Sequence, residues 1–211
     1  MYHPKALQSH IDAGVLNSTP TRAEYKAMLL LDFTCECCGF KGVPTKQVPS
    51  AGMEFIGVNE KLALLCIMCA QSQVLARPVV LENGMKELNH GRLVYCPEVS
   101  QGKIISVTRD IYALSIHQMN NPNRALRSYI EELRESYLEQ VLSRCANIPA
   151  LKINSNDLAG YASLYKYASP ELLKKEGIVF GSVRYIPDEL VFTHITKHWL
   201  NTSYKSILAK F

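Results

Sequence analysis

The sequence predicts an α+β fold in which a small metal-stapled ββα module precedes a β-hairpin and a mainly helical C-terminal half. Three observations carry that expectation. Two C-x-x-C pairs, Cys35/Cys38 and Cys66/Cys69, lie 27 residues apart in the first third of the chain. Short β-rich segments punctuated by Gly and Pro surround them, whereas from Ser100 onward the apolar residues recur at helical spacing. The chain has 211 residues with 47% hydrophobic and 20% charged side chains, an ordinary composition for a globular protein with a core of its own. The division expected is 1–99 for the metal-binding part, with its N-terminal helix and hairpin, and 100–211 for the helical half, the two packed as one unit.

Element by element, Thr21 and Glu24 form a capping box, and Ala23, Ala27, Leu30 and Leu31 follow at helical intervals, giving a helix over 21–32. That helix delivers the chain to Cys35. Cys38-Gly39-Phe40 reads as a metal knuckle whose glycine relaxes the turn after the second sulfur. Residues 40–58 suggest two short strands, and 62–73 carry the second cysteine pair into a helix. Segments 77–81 and 92–96 flank the turn signals Glu82-Asn83-Gly84 and Asn89-His90-Gly91, so they are expected to pair as a hairpin. His90 is read there as a turn residue.

Ile104, Ile105, Thr108, Ile111 and Tyr112 mark a helix ending before Asn120-Asn121-Pro122. The next, 124–145, repeats Leu126, Ile130, Leu133, Leu138 and Val141 on one face, against Glu131, Glu132 and Glu135 on the other. Shorter helices are expected over 156–167 and 169–176, the latter bounded by Ser169, Pro170 and Gly177. Pro187 opens a last helix over 188–200.

Two C-x-x-C loops turn sharply enough to aim four sulfurs at one ion, the donor set of a structural zinc site. Cys35, Cys38, Cys66 and Cys69 are therefore the expected ligands of one structural Zn2+; a redox dithiol pair and an iron–sulfur cluster are the alternatives. Cys37 is then a spare thiol, and Cys96 and Cys145 read as buried ones. Residues 35–69 hold few large apolar side chains, so this segment is expected to collapse without metal. His194 and His198 share a helix face at i, i+4, but no Glu stands between them and no third ligand is evident. His117 sits where it complements a helix C-terminus. Tyr161, Tyr165 and Tyr167 are either partner anchors or half-buried core.

The formal charge is +4, with no basic run, which argues against a dedicated nucleic-acid binder. No secretory signal is visible, and the apolar run from Leu62 to Ala70 is too short to span a bilayer. Cysteines in knuckles then indicate a reducing compartment, the cytosol. Neither a phosphate loop nor a nucleophile elbow occurs.

The stretch from Phe33 to Gln73, with Thr34-Cys35-x-x-Cys38-Gly39 and Leu62-Ala63-Leu64-Leu65-Cys66-x-x-Cys69, resembles the HNH endonuclease zinc scaffold. The resemblance implies a separate catalytic site built on histidines. This chain has Lys46-Gln47-Val48-Pro49 where the His pair belongs, Lys61 at the Asn position with Asn59 nearby, and Ala70 after Cys69, so the nuclease residues are missing. A wider resemblance, including Gly91-Arg92-Leu93-Val94-Tyr95-Cys96-Pro97-Glu98-Val99-Ser100-Gln101, covers Thr21 to Gln118 and is to the DotN/IcmJ family of the type IVB (Dot/Icm) secretion system. It implies a non-catalytic adaptor that grips the cytoplasmic C-terminal tail of a DotL-like coupling ATPase. Such an adaptor binds no nucleic acid directly, is cytoplasmic, and reaches the inner membrane only through its partner. An HNH-type metal-dependent endonuclease and a nucleic-acid-binding zinc module are the competing expectations.

Overall fold

The computed structural model describes residues 19–58, 61–81, 83–145 and 154–209. Helix α1 (Arg22–Leu30) opens with Thr21 as N-cap, and the Thr21/Glu24 capping box is formed in both directions. Its end is abrupt. Asp32 and Phe33 both take positive φ, 51° and 47°, which swings the chain out of the helix and toward Cys35. Such angles are costly for a bulky residue. Burial of the Phe33 ring, edge-on to Tyr25 at 5.8 Å, holds it there.

Strands β1 (Met53–Val58) and β2 (Lys61–Cys66) form an antiparallel hairpin that runs directly into helix α2 (Ile67–Gln73). The sequence had placed both strands within 40–58. Instead the apolar run from Leu62 is split, its first half pairing with β1 and its second forming a helix whose residues from Ile67 to Ser72 are all buried. Expectation also failed for residues 35–69 as a core-poor segment. Phe40, Met53, Ile56, Leu64, Leu65, Ile67 and Met68 all belong to the main core, a fact that weakens the premise for collapse without metal.

The hairpin expected between 77–81 and 92–96 is not the pairing that forms. Strand β3 (Val79–Val80) pairs with a two-residue strand β4 (Lys86–Glu87), across the Asn83-Gly84 turn. Strand β5 (Gly91–Tyr95) pairs with β6 (Val183–Pro187), a strand from the far end of the chain for which no strand is expected from the sequence. A cross-chain pairing leaves no local turn signal, and Pro187 looked like a helix start when it is a strand end. His90 is corrected for the same reason. It is not a turn residue but lies fully buried where β5 enters the sheet.

Helix α3 (Gln101–Asn120), capped by Ser100, is the spine of the second half. After it come α4 (Arg124–Leu133), a π-helical turn (Arg134–Leu138) and α5 (Glu139–Leu142). Helix α6 (Leu158–Tyr167) is followed by α7 (Pro170–Ser182), which continues through Gly177 instead of stopping there. The last helix begins later than Pro187 suggested, as α8 (Thr193–Leu200), and a final turn forms α9 (Lys205–Leu208). One core joins residues from Met28 to Tyr204, with Ile104, Ile105 and Ile111 of α3, Tyr185 of β6 and Trp199 of α8 among its fully buried members. Trp199 reaches back to the first third of the chain, donating its indole N–H to the Ala51 carbonyl at 2.9 Å.

Among the described residues, no helix is long and apolar enough to cross a membrane.

Candidate metal centre

The four cysteines singled out from the sequence converge. One sulfur from each of Cys35, Cys38, Cys66 and Cys69 lies within 4.8 Å of the other three. Cys38 Sγ and Cys66 Sγ are 3.8 Å apart, far too distant for a disulfide. Four sulfurs placed tetrahedrally at about 2.3 Å from a central ion would be separated by about 3.8 Å along each edge. The donor set and its spacing therefore fit a single thiophilic metal ion.

The first knuckle hangs on a loop. Thr34 and Lys41 form an isolated bridge, Cys35 N–H donates to the Phe40 carbonyl at 2.8 Å, and Gly39 N–H donates to the Cys35 carbonyl at 2.8 Å. Gly39 takes φ +71°, the left-handed angle that a side chain resists, as its place after the knuckle suggested. Glu36 then fastens this loop to the hairpin. Its N–H donates to the Leu64 carbonyl at 2.9 Å, and its Oε1 accepts from Leu64 N–H at 2.7 Å. Nothing in the spacing of the cysteines marked Glu36 for that role.

The second knuckle rests on regular structure. Cys66 closes β2 and is the N-cap of α2, and Cys69 stands in the first turn of that helix. Ile67 N–H donates to the Gly52 carbonyl at 2.9 Å, pinning the strand-to-helix corner. Both sulfurs are sealed from solvent, whereas Cys38 and its neighbour Cys37 are half-buried.

The electrostatics are those of a crowded thiol cluster. Hydrogen bonds from the Cys35, Cys66 and Cys69 sulfurs, aided by the Arg109 charge, hold Cys38 far below the usual thiol range. Burial pushes Cys66 well above it. Four sulfurs this close cannot all shed protons without a cation among them, and a divalent ion resolves that conflict.

Residues from the helical half form the outer wall. Arg109 of α3 is 4% exposed, and its Nη1 donates to Cys38 Sγ at 3.2 Å. Its guanidinium lies 4.2 Å from the centroid of the Phe40 ring, and Phe40 in turn meets Trp199 edge-on at 4.8 Å. At Gly102, also on α3, an added Cβ would stand 2.1 Å from the Cys37 carbonyl oxygen, so the helix seats directly on the first knuckle.

No His, Asp or Glu joins the four sulfurs as a candidate ligand among the described residues. His90 does approach α2 from a distance in sequence, a neighbour the sequence reading did not foresee. Its Nδ1 lies 3.0 Å from Tyr185 Oη, the tyrosine hydroxyl donates to the His90 carbonyl at 2.8 Å, and Gln71 Nε2 donates to its Nε2 at 2.6 Å. Burial drives the His90 pKa down to about 4, so the ring is neutral at physiological pH. It is fully enclosed. His194 and His198 do not complete a metal site. His194 is exposed, and His198 Nε2 lies 3.2 Å from the Val43 carbonyl. Cys96 is buried as read, whereas the Cys145 side chain, like Asn59, lies outside the described residues. Tyr161 and Tyr165 are core residues, and Tyr167 is 76% exposed.

Compared with known proteins, the chain matches no family model, and no curated protein matches it significantly.

Proposed function

We propose that this protein is a non-catalytic adaptor built on one structural zinc ion, and that it serves in a type IVB secretion or conjugation coupling complex. The observation that carries the non-catalytic reading is a closed centre. Four sulfurs fill every position of a tetrahedral ion, leaving no place for an activated water or a substrate oxygen. Zinc is the ion that such a set of thiolates in a reducing compartment favours. An iron–sulfur cluster fits less well, because its inorganic sulfides would have to stand between sulfurs that lie within 4.8 Å of each other. The bound ion would fix the first knuckle against β2 and α2, and so shape the surface around them.

The choice of partner rests on the sequence resemblance to the DotN/IcmJ family, and the ligand is the cytoplasmic C-terminal tail of a DotL-like coupling ATPase. On this reading the adaptor stays cytoplasmic and meets the inner membrane only through that tail. The test is co-purification of the zinc-loaded full chain with the tail. Retention of the tail at stoichiometric level is the expected result, and failure of a folded, metal-loaded sample to retain it removes the adaptor reading. Two further assays separate the competing classes. Nicking of plasmid DNA with Mg2+ or Mn2+ would establish a nuclease, and DNA affinity falling steeply with salt would establish a nucleic-acid module.

A further inference from the structure

Buried arginines need a reason, because removing a guanidinium from water costs several kcal/mol unless its donors and its charge are matched. Arg109 stands in the middle of α3, 4% exposed, and the sequence gives no hint of its role beyond helical spacing. Every part of its fork is used. Nε donates to Tyr204 Oη at 3.0 Å, Nη2 meets Asp110 Oδ1 at 3.1 Å and Ser106 Oγ at 3.4 Å, and Nη1 donates to Cys38 Sγ at 3.2 Å. The Tyr204 hydroxyl donates onward to Asp110 Oδ1. The flat face of the guanidinium is covered by Phe40, two residues after Cys38. Among the described residues Asp110 supplies the one carboxylate paired with this cation, and its side chain is 40% exposed, so the remaining matched partner is sulfur.

We infer that Arg109 is a working part of the metal centre, donating to the Cys38 thiolate and tying retention of the ion to the seating of α3 and of the Tyr204 turn. This inference rests on the zinc reading above. Four thiolates around one divalent ion leave two negative charges in a largely buried site, and a fixed guanidinium against one sulfur offsets part of that excess. A hydrogen bond to a ligating atom orients it and slows its departure, and such outer contacts commonly change metal affinity by about 10- to 100-fold. Cys38 is the ligand in most need of one. It is half-buried on a loop, whereas Cys66 and Cys69 are sealed on a strand end and a helix. Lysine would not substitute. Its point charge cannot satisfy a hydroxyl, a carboxylate and a sulfur together in one plane.

The experiment measures zinc transfer from the full-length protein to a chromogenic chelator, well below the melting temperature of every variant. Arg109→Gln removes the charge, Arg109→Lys keeps it without the fork, and Tyr204→Phe deletes only the hydroxyl that braces Nε. Leu158→Ala serves as the structural control, because it weakens the core from α6, which packs on β5 and holds neither the cysteines nor Arg109 nor Tyr204. Release is expected to quicken about 10- to 100-fold in Arg109→Gln, less in Arg109→Lys, least in Tyr204→Phe, and not in Leu158→Ala. Alkylation of Cys38 by iodoacetamide, read by peptide mass spectrometry, should rise in the same order. Release at the wild-type rate from folded Arg109→Lys and Tyr204→Phe overturns the inference, as does equal acceleration in Leu158→Ala. Absence of zinc from the wild-type protein is a different result, and it overturns the metal reading on which the inference stands.

Discussion

The two cysteine knuckles solve the same problem by opposite means. Cys66 and Cys69 are presented by β2 and α2, regular elements with backbone hydrogen bonds of their own, and both sulfurs are buried. Cys35 and Cys38 are presented by a loop that depends on three outside supports: Glu36 on Leu64, Gly102 against Cys37, and Arg109 on Cys38. Preorganisation on one side and adaptability on the other is a sensible division for a structural site. On the zinc reading the rigid pair would define where the ion sits, and the loop would close over it. The contrast also explains why the helical half matters to a centre whose ligands all lie in the first third of the chain.

Breaking the rigid pair should cost most. Cys66→Ser or Cys69→Ser removes a buried ligand from regular structure, and the expected outcome is loss of the ion with a fall in stability of several kcal/mol, read by metal analysis and thermal unfolding. Cys38→Ser on the loop is expected to weaken zinc more than it weakens the fold.

A second effect is set by pH and comes from the neighbouring core. The His90 pKa is depressed to about 4 in the folded protein, against 6.5 when exposed. Between those values the unfolded chain binds a proton that the native one refuses. Stability from this residue is therefore full above pH 6.5, falls as the solution is acidified, and is gone near pH 4, a change on the order of 3 kcal/mol. Denaturant midpoints measured from pH 7 to pH 4 check it. The wild-type slope is expected to flatten in His90→Gln, whose side chain does not titrate.

Gly102→Ala and Gly39→Ala sharpen the comparison within the first knuckle. The first forces a methyl group into the Cys37 carbonyl and should cost about 1–3 kcal/mol through overpacking. At the second, an added Cβ would meet nothing within 4 Å, so only the φ of +71° opposes it, worth about 1 kcal/mol. If the two variants weaken zinc retention in that same order, seating of α3 matters more to the loop than its own backbone. The smallest effect is expected from Glu36→Gln. Glu36→Gln keeps an acceptor for Leu64 N–H and should be nearly neutral, whereas Glu36→Ala leaves that N–H unsatisfied at a cost of about 1–2 kcal/mol.

Legibility in the sequence followed the range of the interaction. The Thr21/Glu24 capping box, the Gly39 turn and the four cysteines are local patterns, and each has its counterpart in the structure. Strand β6 was invisible because its partner, β5, lies some 90 residues away, with Gly91 opposite Pro187. His90 looked like a turn residue because Asn89 and Gly91 flank it, yet what decides its place is Tyr185 and Gln71, which no local window contains. Arg109 was missed for the same reason. Its meaning lies in Cys38, Phe40 and Tyr204, none of which shares its helix. The convergence of the four cysteines was readable and its supports were not, because cysteine pairs announce themselves by residue type and spacing, and supports only by contact.

The most direct measurement is X-ray absorption at the zinc edge of the purified full-length protein, alongside its metal content. One zinc per chain with a shell of four sulfurs at about 2.3 Å and no nitrogen or oxygen scatterer is the result expected. A folded protein without zinc, or a zinc shell in which nitrogen or oxygen replaces sulfur, would contradict a closed four-cysteine centre and the non-catalytic role built on it.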